Sequence, residues 1–192
     1  LRYRNQYIAA VLDGSTDART ADELFGHGGS TPVVRNLSDL AESDALYIGI
    51  APPGGRLPLE WRPIILDAIR KKMDIVSGLH DFLIDDPDYV SAACESGARL
   101  IDVRANSHVS IARCLGFDPG CLRIHTVGQD CSVGKMVTTL EIHQGLLDRG
   151  CDSAFVATGQ TGIMISGQGL PIDRVIVDFV NGAAERLVAQ DH

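Results

Sequence analysis

The sequence lacks the features that place a protein in a membrane or in an oxidising compartment. No apolar run approaches the length of about 20 residues that a membrane-spanning helix needs, and the first residues have no apolar signal-peptide core. The five cysteines are odd in number and form no C-x-x-C pair, which argues against a disulfide framework and a zinc knuckle. We therefore expect a cytoplasmic protein without a bound metal. Since residue 1 is leucine, we also expect a trimmed start.

Positive charge is also scarce. The 192 residues include 17 lysines and arginines against 25 aspartates and glutamates, so the formal net charge is -8. Because the acidic residues are scattered, neither nucleic acid nor an anionic membrane is expected as the main partner. Hydrophobic residues make up 45% of the chain, which is enough for a sizeable core. We expect a globular protein that binds a small molecule and forms a homo-oligomer.

Strand and helix patterns alternate over the first hundred residues. Strand patterns at 7–12, 31–34, 45–50, 74–77 and 100–103 alternate with helical patterns at 20–25, 61–73 and 87–96. This alternation predicts an α/β fold with a parallel sheet. Polar turns such as 13–16 and 51–55 follow strands and are candidate ligand-facing edges, because ligands collect at the carboxyl ends of parallel strands. Plain connections are an equal alternative for both turns. A turn cluster divides the chain into a first domain at 1–104, a linker at 105–120 and a second domain at 121–192.

The most specific chemical signal lies in residues 125–139. An apolar strand pattern at 122–127 leads into a tight loop and then into a helical pattern at 136–147. A loop of this kind points backbone N–H groups at one anion, and the helix dipole and Lys135 add positive potential. The predicted phosphate-binding residues are Gly128, Gln129, Asp130, Cys131, Ser132, Val133, Gly134, Lys135 and Met136.

This loop departs from the G-x-x-x-x-G-K-[ST] pattern in two ways. Gly128 lies one residue too early relative to Gly134, and Met136 follows the lysine without a hydroxyl that could bind magnesium. No later strand pattern ends in a carboxylate that would lie near a metal. The loop therefore indicates phosphate binding but weakens the case for metal-assisted hydrolysis. A plain strand-to-helix turn is the alternative interpretation.

A second small polar loop follows the strand pattern at 153–157. It contains Thr158, Gly159, Gln160 and Thr161. Glycine lets the backbone approach a ligand closely, and the hydroxyl and amide groups can bond its polar atoms. We expect this loop to share a sheet edge with the phosphate loop and to bind the same cofactor. A flexible turn is the alternative, and helical patterns at 109–115 and 175–189 complete the domain.

Three motifs carry a resemblance to a known family. They are Gly-Gln-Asp-Cys-Ser-Val-Gly-Lys-Met at 128–136, Phe-Val-Ala-Thr-Gly-Gln-Thr-Gly-Ile at 155–163 and Asp-Phe-Val-Asn-Gly-Ala-Ala-Glu at 178–185. In this order they resemble a family long catalogued as of unknown function, whose characterised members are D-glutamate N-acetyltransferases. The resemblance implies a Rossmann-like parallel-sheet domain followed by the start of a P-loop NTPase-like α/β domain. We therefore expect the second domain to be incomplete in this chain.

The phosphate loop is also similar to that of dethiobiotin synthetases, which share the spacing of glycine, five residues and Gly-Lys. Those ligases have a hydroxyl residue after the loop lysine and a lysine at the end of the following strand. This chain has Met136 at the first position and Ala157-Thr158 at the second. The similarity leaves ATP with Mg²⁺ as the alternative ligand and an ATP-dependent ligase or kinase as the alternative function. A nucleotide-binding module without catalysis is a third hypothesis.

The family resemblance implies that the chain takes part in N-acetylation of a D-amino acid such as D-glutamate with acetyl-CoA. The phosphates of coenzyme A suit a backbone cradle, with Lys135 as a clamp. Asp130 is the loop acid that we expect as the base for the amine, unless it only shapes the loop. Arg104 is the expected partner of the substrate carboxylates, and a structural salt bridge accounts for it equally well. We expect Cys131 to pack rather than to form an acyl-cysteine, because no histidine is obviously paired with it.

Overall fold

The computed structural model describes residues 1–40, 42–114 and 116–190. The chain divides into two compact units, Leu1–Val103 and Arg104–His192, which we call the N-terminal and the C-terminal unit. Parallel strands and helices make it an α/β protein, as the alternating pattern predicts. In the part of the chain that is described, no helix combines the length and the apolar character needed to cross a membrane.

The N-terminal unit contains two parallel sheets. One pairs β1 (Val11–Leu12) with β2 (Val33–Val34), and the other has the order β3 (Ala45–Ile48), β4 (Asp74–Ser77), β5 (Leu100–Asp102). β4 has a neighbour on each side, and its residues 75–77 are buried, as is usual for a strand covered on both faces. The strand predicted at 7–12 is shorter than expected: Tyr7 belongs to the 3-10 turn Asn5–Tyr7, and only Val11–Leu12 pairs with another strand.

Three helices connect these strands: α1 (Ala21–Phe25), α2 (Arg62–Arg70) and α3 (Pro87–Ser96). The bounds of α3 are those predicted, and their causes are local. The Asp86 carboxylate accepts the N–H groups of the first turn, and Pro87 occupies the first position, where its missing N–H costs nothing. Gly97 ends the helix with a φ of 81°, which glycine adopts at little cost.

The core of the N-terminal unit lies between these helices and the three-stranded sheet. Its most completely buried members are Ile65, Ala68, Ile69, Ile75, Leu83 and Tyr89. At its rim the Arg62 guanidinium lies 4.8 Å from the centre of the Tyr89 ring and pairs with Asp86 and Asp88. The apolar face of α2 and the first turn of α3 are therefore joined by packing and by charge.

The C-terminal unit contains α4 (Lys135–Leu147), α5 (Gln160–Ser166) and α6 (Val180–Gln190). The helix after the phosphate loop is confirmed. The strands predicted at 122–127 and 153–157 are wrong, since neither segment pairs with a strand among the described residues. An apolar segment becomes a strand only when a neighbour supplies hydrogen-bond partners. Without one, Leu122 and Val127 remain highly exposed.

Residues 109–114 do not form the predicted helix, and position 115 of that prediction lies outside the described residues. This segment is held by α6 instead of by its own backbone. The Arg113 N–H donates to the Glu185 carboxylate at 2.6 Å, and the backbone of Ser110 lies against Gly182, where a Cβ would come within 2.0 Å of the Ser110 oxygen. Contacts about 70 residues apart therefore outweigh the local helical pattern.

The predicted helix at 175–189 begins later than expected. Two 3-10 turns, Ile172–Arg174 and Val177–Phe179, precede α6. The first follows Pro171, which has no N–H to donate to a helix ladder. The apolar periodicity of this segment is continuous across the turns, which is why the sequence alone does not reveal them.

Candidate functional site

The predicted phosphate loop enters α4 through two residues of left-handed conformation. Ser132 has a φ of 56° and Gly134 a φ of 97°. Glycine adopts such angles readily, whereas serine does so rarely. A left-handed residue beside right-handed neighbours turns successive backbone N–H groups toward one side, which is the geometry of an anion-binding nest. This conformation of Ser132 is not predictable from its residue type.

The loop and the first turn of α4 carry backbone donors without protein partners. Among the described residues, the N–H groups of 132–137 donate to no protein acceptor. The first bonded amide is that of Thr138, whose N–H reaches the Gly134 oxygen at 2.9 Å. Gly134 is the N-cap and has no side chain that could satisfy the others. This end of α4 therefore offers free donors and the positive end of a helix dipole.

The Lys135 side chain reaches back across the loop to Asp130. Its ammonium donates to the backbone oxygen of Asp130, and the Asp130 carboxylate accepts the Cys131 N–H at 2.6 Å. Gly128 leaves room for this crossing, because a Cβ there would lie 2.8 Å from Val133 Cγ2 and 3.1 Å from Lys135 Cγ. The five residues between Gly128 and Gly134 thus form a closed loop with the Lys135 ammonium at its edge.

Two threonines fix the base of the loop. The hydroxyls of Thr126 and Thr139 lie 2.6 Å apart, and both contact the Lys135 backbone oxygen, at 3.2 and 3.0 Å. Met136 is partly buried and has no hydroxyl, as the sequence already indicates. The hydroxyl groups nearest the start of α4 therefore serve the protein backbone, and sequence analysis did not single them out.

The second predicted loop is largely the start of a helix. Gly159 is the N-cap of the seven-residue α5, so Gln160 and Thr161 lie in its first turn. The Ile172 N–H donates to the Thr158 oxygen at 3.1 Å, which brings the segment after α5 alongside the start of this loop. The idea that 158–161 binds the same ligand as the phosphate loop stays a prediction.

Arg104 is buried and forms an ion pair with Asp173 in the C-terminal unit. The salt bridge that the sequence left open is therefore present, and Asp173 keeps 44% of its side chain exposed. A buried guanidinium needs such a partner, because an uncompensated charge is costly away from water. A role for Arg104 in holding substrate stays a prediction.

The N-terminal unit has a cleft of about 640 Å³ at the carboxyl ends of β1 and β2. Its charged lining residues are Asp13, Asp17, Asp39, Arg19 and Arg35. The sequence pointed to the turn at 13–16 as a ligand-facing edge, but it did not single out the arginines. They come from different connections, one before α1 and one after β2, so only the fold reveals their proximity.

Comparison with known families separates the same two parts of the chain. The Rossmann-like domain DUF1611_N, a domain of unknown function, matches residues 15–106. The P-loop domain DUF1611_C, also of unknown function, matches residues 110–192. The chain belongs to the DUF1611 family. Its Rossmann-like and P-loop domains are those that the three sequence motifs imply.

Two curated relatives are similar over most of this chain. A D-glutamate N-acetyltransferase from Tritonibacter scottomollicae is 41% identical over 159 residues, which cover 83% of this chain and 47% of the relative. A D-glutamate N-acetyltransferase from a Pseudoalteromonas species is 46% identical over 170 residues, covering 86% and 51%. The chain thus spans about half the length of these curated relatives.

A solved structure from the DUF1611 family supports the fold. The crystal structure of a family protein from Anabaena variabilis has a TM-score of 0.83 and 36% sequence identity, and the match covers 95% of this chain and 54% of that one. Among the described residues, no group of three or more His, Cys, Asp or Glu side chains is placed to hold a metal ion.

Proposed function

We propose that this chain supplies the acyl-donor site of an N-acetyltransferase that acts on a D-amino acid of the D-glutamate type. The names of two relatives, 41% and 46% identical, support this choice. Because the chain spans about half of each relative, the activity of the whole protein is part of the proposal. The observation that carries it is the row of free N–H groups at 132–137 beside Lys135.

The loop fits the diphosphate of coenzyme A. Gly128 keeps the loop closed where a Cβ would push Val133 and Lys135 apart, and the free amides of α4 can donate to phosphate oxygens. Lys135 already lies across the loop, so it can add a charge-assisted bond by exchanging its contact with the Asp130 oxygen for a phosphate oxygen. Thr158 and Thr161 are exposed hydroxyl residues that we propose as further ligand contacts.

Acetyl-CoA, once bound, supplies a thioester carbonyl, so that a C–N bond to the amine forms, the C–S bond breaks and the thiol takes up a proton. The chain must therefore hold the donor and accept the amine proton. We propose Asp130 as the base, because its carboxylate is exposed on the loop and is fixed by the Cys131 N–H. Cys131 is exposed but is not needed as a nucleophile, since an amine can attack a thioester directly.

Calorimetric titration of the 192-residue chain with coenzyme A tests the loop. We expect Lys135→Ala to weaken coenzyme A binding by at least about tenfold, because a charge-assisted hydrogen bond is lost. Lys71→Ala is the matched control, since Lys71 pairs with Asp67 on the surface of α2 in the other unit. Equal affinity in Lys135→Ala and Lys71→Ala would remove the phosphate loop from the proposal.

A thiol-release assay tests the reaction. Free coenzyme A should appear from acetyl-CoA only when D-glutamate is present. ATP turnover with Mg²⁺ and no response to acetyl-CoA would instead identify the ligase or kinase alternative. Met136, which replaces the magnesium-binding hydroxyl of the standard motif, is the reason that we rank this alternative second.

A further inference from the structure

The cleft of the N-terminal unit lies where α/β proteins place ligands. β1 and β2 are parallel, and the residues that follow them, Asp13 and Arg35, both line the cleft. Its volume of about 640 Å³ lies within the usual range of small-molecule sites, about 300 to 1,000 Å³.

The charges of the cleft do not favour a nucleotide phosphate. Three carboxylates against two guanidiniums repel a dianion. Backbone N–H groups at the start of α1 are also unavailable to a phosphate, because the Thr20 hydroxyl accepts the Glu23 N–H and the Glu23 carboxylate accepts the Arg19 N–H. A ligand with both signs of charge fits this lining better.

The arginines keep donors available for a carboxylate. The Arg19 side chain has no hydrogen bond or ion pair within the described ranges 1–40, 42–114 and 116–190. Arg35 uses one nitrogen, Nη2, for both the Thr16 oxygen and Asp17 Oδ1. A guanidinium has five N–H donors in a fork that matches a carboxylate, so Arg35 retains several.

Asp13 is suited to hold an ammonium group. Its carboxylate accepts the Ser15 hydroxyl at 2.6 Å and the Ser15 N–H at 2.8 Å. These bonds lower the pKa of Asp13 below its usual value, so the side chain is an anion at neutral pH. They also fix its position at the end of β1. The other two acids are already engaged, Asp17 by Arg35 and Asp39 by Asn36.

We infer that this cleft binds a dicarboxylic amino acid, with Arg19 and Arg35 on its two carboxylates and Asp13 on its ammonium group. The choice of a dicarboxylic amino acid rests on the proposed function, whereas the position of the site rests on the cleft. The inference gives the substrate a site in the N-terminal unit, in place of the Arg104 site that the sequence indicated.

Equilibrium dialysis of the 192-residue chain with radiolabelled D-glutamate tests this inference. We expect Arg35→Gln and Arg19→Gln each to raise the dissociation constant at least about tenfold, since each removes a charged partner of a carboxylate. Arg35→Lys keeps the charge but loses the fork, so a smaller loss of affinity is expected. Circular dichroism should show that all variants remain folded, because exposed ion pairs contribute little to stability.

Arg99→Gln is the matched control. Arg99 lies in the same unit and pairs with Asp74, but it does not line the cleft. D-glutamate affinity should be unchanged in this variant. Unchanged affinity in both cleft variants would overturn the inference.

Coenzyme A titration of the same preparations separates this inference from the proposed function. Loss of D-glutamate binding in Arg35→Gln with normal coenzyme A binding is the expected result. If the cleft variants weaken D-glutamate binding but the chain does not bind coenzyme A, the result would support the cleft site and refute the acetyl-donor site. If the chain binds coenzyme A and releases it from acetyl-CoA, but the cleft variants do not change D-glutamate binding, the result would support the acetyl-donor site and refute the cleft site.

Discussion

The hydroxyls of Thr126 and Thr139 lie 2.6 Å apart and join the residue that enters the phosphate loop to the second turn of α4. Both also contact the backbone oxygen of Lys135. The two ends of the loop are thereby held together. We expect the proposed phosphate site to depend on this link, because the free amides of α4 can share a ligand with the loop only while the loop faces them.

Replacing Thr139 by valine keeps the shape of the side chain and removes the link. We expect the free energy of unfolding to fall by about 1 kcal/mol, the usual net value of one such bond. Coenzyme A affinity should fall several-fold as the loop loosens. Thr138→Val is the matched control, because Thr138 is exposed and its hydroxyl makes no hydrogen bond to any residue that the structure describes. A coenzyme A affinity equal in the two variants would contradict a role for the link.

Gly128 should matter more for binding than for folding. In Gly128→Ala the new Cβ meets the side chains of Val133 and Lys135, which must move. We expect stability to change by less than about 1 kcal/mol and coenzyme A affinity to fall about tenfold. Gly49→Ala is the control, since a Cβ there meets nothing within 4 Å. Thermal unfolding and calorimetric titration of both variants measure the two effects separately.

The glycines inside α4 and α6 should respond in opposite ways to the same substitution. Gly182→Ala drives a Cβ to 2.0 Å from the Ser110 backbone oxygen, and backbone cannot move aside cheaply. We expect a loss of about 3 kcal/mol or failure to fold. Gly145→Ala meets only the tip of Arg149 at 3.3 Å and should stabilise α4 by about 0.5 to 1 kcal/mol. Chemical denaturation of both variants checks the contrast, and similar values would refute the contact.

The elements that the sequence predicts well are those whose bounds have local causes. α3 begins at a proline after a capping aspartate and ends before a glycine, so both ends can be read from residue types. β4 is a short segment, Asp-Ile-Val-Ser, between a helix end and a glycine, and its bounds are also as predicted. Gly128 leaves room for the Lys135 side chain in the loop, as their residue types suggest, whereas phosphate binding by the loop stays a prediction.

The elements that the sequence misses depend on partners that are distant in the chain. The segment at 122–127 has a strand composition, but no strand pairs with it among the described residues. The segment at 109–114 is held by Gly182 and Glu185 instead of forming a helix. The cleft requires Arg35 to contact Thr16, and no local pattern links those positions.

Asp86 should give the N-terminal unit a specific dependence on pH. Hydrogen bonds from Arg62, and then from the backbone at the start of α3, lower the pKa of Asp86 below its ordinary value of 3.8. A group with a lowered pKa stabilises the fold above its unfolded-state pKa and loses that contribution as pH falls through its folded-state pKa. The contribution is therefore complete at neutral pH, begins to fall near pH 3.8 and is lost as the pH falls through the lower folded-state pKa.

Asp86→Asn keeps a capping oxygen but removes the charge that pairs with Arg62. At pH 7 we expect a loss of about 1 kcal/mol in the free energy of unfolding. Urea unfolding between pH 7 and pH 3 should show the variant and the unchanged chain converging as the pH falls. Asp67→Asn is the control, because Asp67 makes only an exposed pair with Lys71. A difference that stays constant over this pH range would exclude ionisation of Asp86 as its cause.

The absence of strand pairing at 122–127 has a consequence for the exchange of backbone hydrogens with solvent. Amide hydrogens exchange slowly where they are bonded and buried, and rapidly where they face water. In β4 the backbone is paired on both sides, whereas the amides of 122–127 have no acceptor within residues 116–190. Deuterium should therefore enter the approach to the phosphate loop within the first time points and reach β4 only when the N-terminal unit opens.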